Sequence, residues 1–163
     1  MNHAILGEGG TVMQFVGDAV MAVFGAPFPQ PDHADRSAVA ATAMHALQAE
    51  INTRWAADGL PAFGLGIGLS TGEAAAALLG SEERLEYTLV GDTVNLSQRL
   101  QQLASAGETV LSEATSKALT VPTTAVALPA QLVKGRDTAI VAYKILRLGV
   151  PAAVTPQGPV LNT

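Results

Sequence analysis

Gly9-Gly10-Thr11-Val12-Met13-Gln14-Phe15-Val16-Gly17-Asp18-Ala19-Val20-Met21-Ala22-Val23-Phe24-Gly25 is the stretch on which the fold turns. Residues 11–16 and 19–24 are two β-type runs separated by Gly17 and Asp18 alone. A two-residue connection that begins with glycine suits a type II′ hairpin, because its first position needs a positive φ. That pairing puts Asp18 at the hairpin tip with its carboxylate free to reach outward. Upstream, Ala4-Ile5-Leu6 reads as the last turn of a helix stopped by Gly7, Gly9 and Gly10. Downstream, Gly25 with Pro27, Pro29 and Pro31 ends the second strand.

A long helix follows. Asp32 or Asp35 can cap it, Ala40, Met44, Leu47, Ile51 and Trp55 fall on one face, and Gly59 and Pro61 close it. His45 lies within it; like His3 and His33 it reads as a surface or edge histidine, and no pair has metal-ligand spacing. Phe63-Gly64-Leu65-Gly66-Ile67-Gly68-Leu69 alternates strictly, so it reads as a strand with one large apolar face. Its other face is all glycine, which lets a helix or another backbone come close. These glycines do not form G-x-G-x-x-G at a strand-to-helix turn, so a dinucleotide fingerprint is rejected. Ser70-Thr71-Gly72 is a turn and residues 73–79 a returning strand. Residues 81–87 are charged and read as irregular, and 88–90 as a short strand.

Asp92 can cap the next helix, with Leu96, Leu100 and Leu103 as its apolar stripe and Gly107 at its end. Asn95 and Arg99 stand at i and i+4 and project together from another face. Residues 109–112 read as a strand and 113–119 as a short helix. Strands then flank a turn, Lys134-Gly135-Arg136-Asp137, with two cations at its tip, and the last strand, 138–146, alternates Ala139, Val141, Tyr143 and Ile145 against its other face. The order, hairpins between long helices, points to an α+β sandwich with helices on one face of a mostly antiparallel sheet. Residues 1–148 form one domain. The tail 149–163 carries Pro151, Pro156 and Pro159 without a core pattern and is expected to be disordered.

Composition narrows the function classes. The 163 residues are 48% hydrophobic, enough for one well-built core. Alanine is the commonest residue, so many helix–sheet contacts should be close. Net charge is −5, from 9 Lys+Arg against 14 Asp+Glu, and there is no basic run, which argues against nucleic acid as a partner. Cysteine is absent, which excludes thiolate chemistry and a disulfide framework and is compatible with a cytoplasmic home. No apolar run approaches the ~20 residues of a membrane helix, and the first residues lack the pattern of a signal peptide.

Three polar sets therefore stand where the fold exposes them: Asp18 on one hairpin tip, Asn95 with Arg99 on a helix, and Lys134 with Arg136 on a second tip. A carboxylate with separate cations and an amide is what a metal–polyphosphate site requires, the carboxylate for the metal and the cations for phosphate oxygens. Singly, each reads as turn chemistry or a solvated helix face.

Together, these stretches resemble a known family. Residues 9–25 resemble the metal-binding hairpin of class III nucleotidyl cyclases. Residues 80–100, including Thr88-Leu89-Val90-Gly91-Asp92-Thr93-Val94-Asn95-Leu96-Ser97-Gln98-Arg99-Leu100, are similar to their second signature. Asp32-His33-Ala34-Asp35-Arg36 and Ile67-Gly68-Leu69-Ser70-Thr71-Gly72-Glu73 match in order and spacing between the two. The likeness covers residues 4–146 and is to bacterial adenylate cyclases with Thr in the base-selecting position. It implies a ferredoxin-like antiparallel-sheet sandwich and a cytoplasmic homodimer with active sites at the subunit interface. It also implies two Mg²⁺ or Mn²⁺ ions, and ATP converted to cyclic AMP and pyrophosphate for signalling. By position, Asp18 matches the second metal aspartate and Thr88 the purine-selecting residue. Asn95 matches the ribose-orienting residue, Arg99 the charge-stabilising arginine, and either Arg136 or Lys134 the cation on the terminal phosphates.

Three departures qualify the likeness. The family's opening strand and helix, with the F-x-D-I-x-G-F-T-type motif and the first metal aspartate, have no counterpart in these residues. Gln14 replaces the adenine-recognising Lys, which leaves GTP as a second candidate substrate. Ala77 stands where a glycine is usual. The first departure implies an N-terminally truncated domain with little or no activity, or else a catalytically silent module that dimerises or binds nucleotide.

Overall fold

The structure, a computed structural model, describes residues 1–81, 84–130, 139 and 141–149. The turn bearing Lys134 and Arg136 and the tail from residue 150 lie outside the described residues. Helix α1 (Asn2–Gly7) ends where the glycines begin, and the Gly10 N–H donates to the Ile5 carbonyl at 2.9 Å. Strands β1 (Thr11–Val16) and β2 (Ala19–Val23) pair antiparallel, with Val16 opposite Ala19. Gly17 takes φ +62°, and no described residue other than glycine has positive φ. The turn is therefore of the II′ kind and not I′, which needs positive φ at both positions.

Helix α2 (His33–Ala57) forms as read, but its buried face is rotated from the expected stripe. Ala34, Ala38, Ala41, Met44 and Gln48 are buried at spacings of three and four, whereas Trp55 is exposed and rests against Phe63 with ring centroids 5.0 Å apart. The reason is polar and non-local. The Gln48 amide donates to the Phe63 carbonyl at 3.1 Å, and the Asp35 carboxylate accepts the backbone N–H of Thr120 at 2.8 Å and of Val121 at 3.1 Å. Asp32 occupies the N-cap position without capping; its carboxylate takes the Arg36 Nε–H at 2.8 Å instead.

Strand β3 (Ile67–Leu69) runs parallel to β6 (Thr109–Ser112). It is shorter than the alternating run suggested, because only its last three residues find a ladder partner. Strands β4 (Ala75–Ser81) and β5 (Arg84–Val90) form a seven-residue antiparallel hairpin. Two expectations are corrected here. The strand after the Ser70-Thr71-Gly72 turn returns to β5 and not to β3, and most of the supposedly irregular 81–87 is β5. Charged residues carry little strand propensity, and here continuous pairing supplies what propensity lacks.

Helix α3 (Asp92–Leu103) follows, with Gly91 at the N-cap and φ +151°. Asp92 thus lies one position inside the helix and is not its cap. Helix α4 (Glu113–Ala118) is capped by Ser112, whose hydroxyl oxygen accepts the Thr115 N–H at 3.1 Å. Strands β7 (Thr123–Ala127) and β8 (Ala142–Leu148) complete a four-stranded sheet in the order β3-β6-β8-β7. All of it is antiparallel apart from the β3–β6 pair. The α+β sandwich is as read, with one correction. All four residues of β6 are buried, because neighbouring residues face opposite sides and both sides are covered. Thr109 meets His45 of α2, while Val110 packs in the core with Leu100 of α3 and Ala142 of β8. Helices therefore lie on both faces.

Candidate active site

The β1–β2 hairpin positions the first candidate. With φ positive at Gly17, the chain reverses in two residues and Asp18 stands exposed at the tip. Phe15 and Val16 beside it are also exposed. Gln14 is half-buried on β1, opposite Met21 of β2. Thr88 is half-buried on β5, opposite Ala77 of β4. β1 touches β5, so the strands carrying Gln14 and Thr88 are brought together.

Helix α3 carries the second group. Asn95 is exposed and Arg99 half-buried, one helical turn apart. The helix lies on β3 and β6, whereas the β1–β2 hairpin borders β5, and α1 adjoins β1. Asp18 and the Asn95–Arg99 pair thus rest on different neighbours within one chain. Lys134 and Arg136 lie outside the described residues.

The height of α3 over the sheet is set by the glycine face of 64–68. A β-carbon on Gly68 would overlap the Ser97 carbonyl oxygen and the Gln101 nitrogen of α3. One on Gly66 would come within 2.6 Å of the Ala104 carbonyl oxygen. The Ser70 hydroxyl donates to the Thr93 carbonyl at 2.6 Å, in the first turn of α3. Sequence reading took Ser70 only as part of a turn; its signal was position, directly after the glycine-faced strand.

Chemically, Asp18 offers an exposed hard oxygen donor of the kind magnesium and manganese take. Among the described residues no three His, Asp or Glu side chains cluster. An ion at Asp18 would draw its remaining ligands from phosphate oxygens and water, as magnesium commonly does. Asn95 can both donate and accept, and Arg99 presents a fixed planar cation suited to phosphate. Elsewhere, burial holds the His45 imidazole below its ordinary pKa against the opposing pull of the Glu108 backbone. Burial pushes the Asp35 carboxyl up, but hydrogen bonds from Thr120 and Val121 outweigh it and hold it below the usual carboxylate value. Neither residue belongs to the candidate site. Among the described residues, no helix is long and apolar enough to cross a membrane.

Comparison with known proteins bears on these residues together. The family model of the adenylate and guanylate cyclase catalytic domain matches residues 5–146. Adenylate cyclase 1 of Rhizobium meliloti (strain 1021) is 34% identical over 155 residues, 94% of this chain and 23% of that protein. The chain thus spans under a quarter of the length of the curated relatives it matches. Among solved structures, the guanylyl cyclase Cya2 superposes with a TM-score of 0.82 at 30% identity, covering 93% of this chain and 77% of that one. The adenylyl cyclase CyaB from P. aeruginosa gives 0.84 at 28% identity, covering 90% and 76%.

Proposed function

The chain belongs to the adenylate and guanylate cyclase catalytic domain family, and from that premise we propose that its site is built to convert ATP to cyclic AMP and pyrophosphate. The ribose 3′-hydroxyl gives up its proton to water as its oxygen attacks the α-phosphorus in line, the bond to the bridging oxygen breaks, and pyrophosphate leaves with that electron pair. Gln14 and Thr88 face the purine. Asn95 orients the ribose so that the 3′-oxygen meets phosphorus, and Arg99 stabilises the charge that develops on the reacting phosphate. Either Arg136 or Lys134 holds the terminal phosphates. Asp18 holds Mg²⁺ or Mn²⁺, which when bound neutralises phosphate charge and lowers the pKa of the attacking hydroxyl.

The observation that supports this reading best is the hairpin: a glycine-first turn that holds one exposed carboxylate, Asp18, at its tip. Since Asp18 and the Asn95–Arg99 pair rest on different neighbours, the reading places a complete site across a homodimer, with one group from each copy. Exposed Phe15 and Val16 supply apolar surface for such an interface. The reading puts the protein in the cytoplasm, where ATP is available. Within the 163 residues Asp18 is the one match to the family's two metal aspartates, so this polypeptide by itself is expected to turn over little or no ATP.

That last point also favours a second reading, a catalytically silent module that dimerises or binds nucleotide. Calorimetry with Mn²⁺ and ATP, with product analysis on the same sample, separates the two. The enzyme reading expects binding that Asp18→Asn weakens, as does a silent module that binds nucleotide. Cyclic AMP formed in any amount that Arg99→Ala abolishes supports the enzyme. Absence of nucleotide binding overturns the enzyme reading and leaves a module that only dimerises.

A further inference from the structure

We propose that Ser70 is a positioning residue, whose hydroxyl fixes the first turn of α3 and thereby where Asn95 and Arg99 meet the nucleotide; the last clause rests on the proposed cyclase site. The turn that holds Ser70 is fixed from the opposite side. The Thr71 hydroxyl lies 3.0 Å from that of Thr115 in α4. The Thr115 hydroxyl is itself 2.9 Å from the Ser112 hydroxyl and within 3.3 Å of the Leu69 carbonyl. β3 is hydrogen-bonded to β6 along its length. Ser70 therefore projects from an anchored frame, and its 2.6 Å bond to the Thr93 carbonyl constrains the helix.

The contact point is significant for its place in α3. Thr93 sits in the first turn, two residues before Asn95 and six before Arg99. Its carbonyl is an acceptor of the helix's own ladder and takes the Ser70 hydroxyl on a second lone pair. Gly72 brings the frame in closely, since a β-carbon there would overlap the Thr93 hydroxyl. Gly68 fixes the same helix one and two turns further on, under Ser97 and Gln101. Two close approaches and one short hydrogen bond thus define the helix at its start and middle. A shift of the order of 1 Å in a positioning element is enough to cost much of a site's efficiency.

The test uses the 163-residue chain with Ser70→Ala and Ser70→Thr, read by hydrogen exchange and by calorimetry with Mn²⁺ and ATP. Ser70→Ala should speed exchange of the amides in the first two turns of α3, including that of Ser97, which bonds to the Thr93 carbonyl, about tenfold, while amides in the middle of α2 stay unchanged. It should weaken ATP binding about three- to fivefold, and Ser70→Thr should restore both. In an Arg99→Ala background the Ser70→Ala effect on binding should shrink, because only the Asn95 contribution is left to misplace, which a general loss of stability would not produce. Unchanged exchange in α3, or an undiminished binding loss in the Arg99→Ala background, overturns the proposal. If the unmodified chain binds no ATP, the cyclase reading falls, and the exchange result alone decides whether Ser70 sets the helix.

Discussion

Gly68 of β3 lies so close to Ser97 of α3 that a β-carbon on the glycine would overlap the serine's carbonyl oxygen. The obstacle is helix backbone, which cannot swing aside as a flexible side chain can. Gly68→Ala should therefore lift α3 and destabilise the fold by about 1–3 kcal/mol, the usual range for overpacking. Urea unfolding checks this, and Ala in place of the exposed Gly7, where nothing lies within 4 Å and φ is not positive, is the control for general loss of glycine.

Asp35 links α2 to a segment 85 residues away, accepting hydrogen bonds from Thr120 and Val121. Asp35→Ala should cost about 1–3 kcal/mol, as for loss of charge-assisted bonds. Its folded pKa lies below the 3.8 of a free aspartate carboxyl. The stability it contributes is therefore fully present above pH 3.8 and is lost as pH falls through the lower folded value. Melting curves between neutral and acid pH should show that the variant loses less stability on acidification than the parent.

These two residues mark what a single sequence reveals. The Gly64, Gly66 and Gly68 face was legible because strict alternation exposes a face without side chains, and the Gly17 turn because few residues accept positive φ. Asp18, Asn95 and Arg99 stood out because turn and helix spacing are local. The buried face of α2 was legible only in part: Ala40 and Met44 are buried as read, but Asp35 and Gln48 look like surface residues until their partners at 120, 121 and 63 are placed. The first part of β5 was hidden for the same reason: only its pairing with β4 makes Arg84 to Tyr87 a strand. The cap of α3 was misassigned because Gly91 itself supplies the non-helical N-cap.

His45 is held neutral by burial, with its Nε2 2.9 Å from the Thr109 hydroxyl. Its folded pKa is below the 6.5 of a free imidazole. Stability should therefore be complete above pH 6.5 and fall as pH drops through the lowered folded value, because the unfolded chain takes up the proton first. His45→Gln should flatten this part of the curve. Melting temperatures from pH 7.5 to 5 in parent and variant test it; equal slopes contradict it.

Base choice should be loose. Gln14 and Thr88 can each donate and accept, so neither leaves an unpaired buried group against the wrong purine, which strong discrimination requires. ATP and GTP should bind within about tenfold of each other, and Gln14→Lys should shift the ratio toward ATP. The measurement is the ratio of the two dissociation constants; strict and identical ATP selectivity in both proteins would show that Gln14 does not read the base.

The central claim is that Asn95 and Arg99 on α3 and Asp18 on the hairpin are parts of a cyclase site. The direct measurement is cyclic AMP formed from ATP with Mn²⁺. It compares the 163-residue polypeptide with the same polypeptide joined to an N-terminal strand and helix bearing F-x-D-I-x-G-F-T, each with and without Arg99→Ala. The account predicts little or no product from the 163 residues, a clear rise in the extended protein, and a fall of about 10²- to 10³-fold when Arg99 is replaced. An extended, folded protein that makes no cyclic AMP, or one whose turnover is untouched by Arg99→Ala, would contradict it.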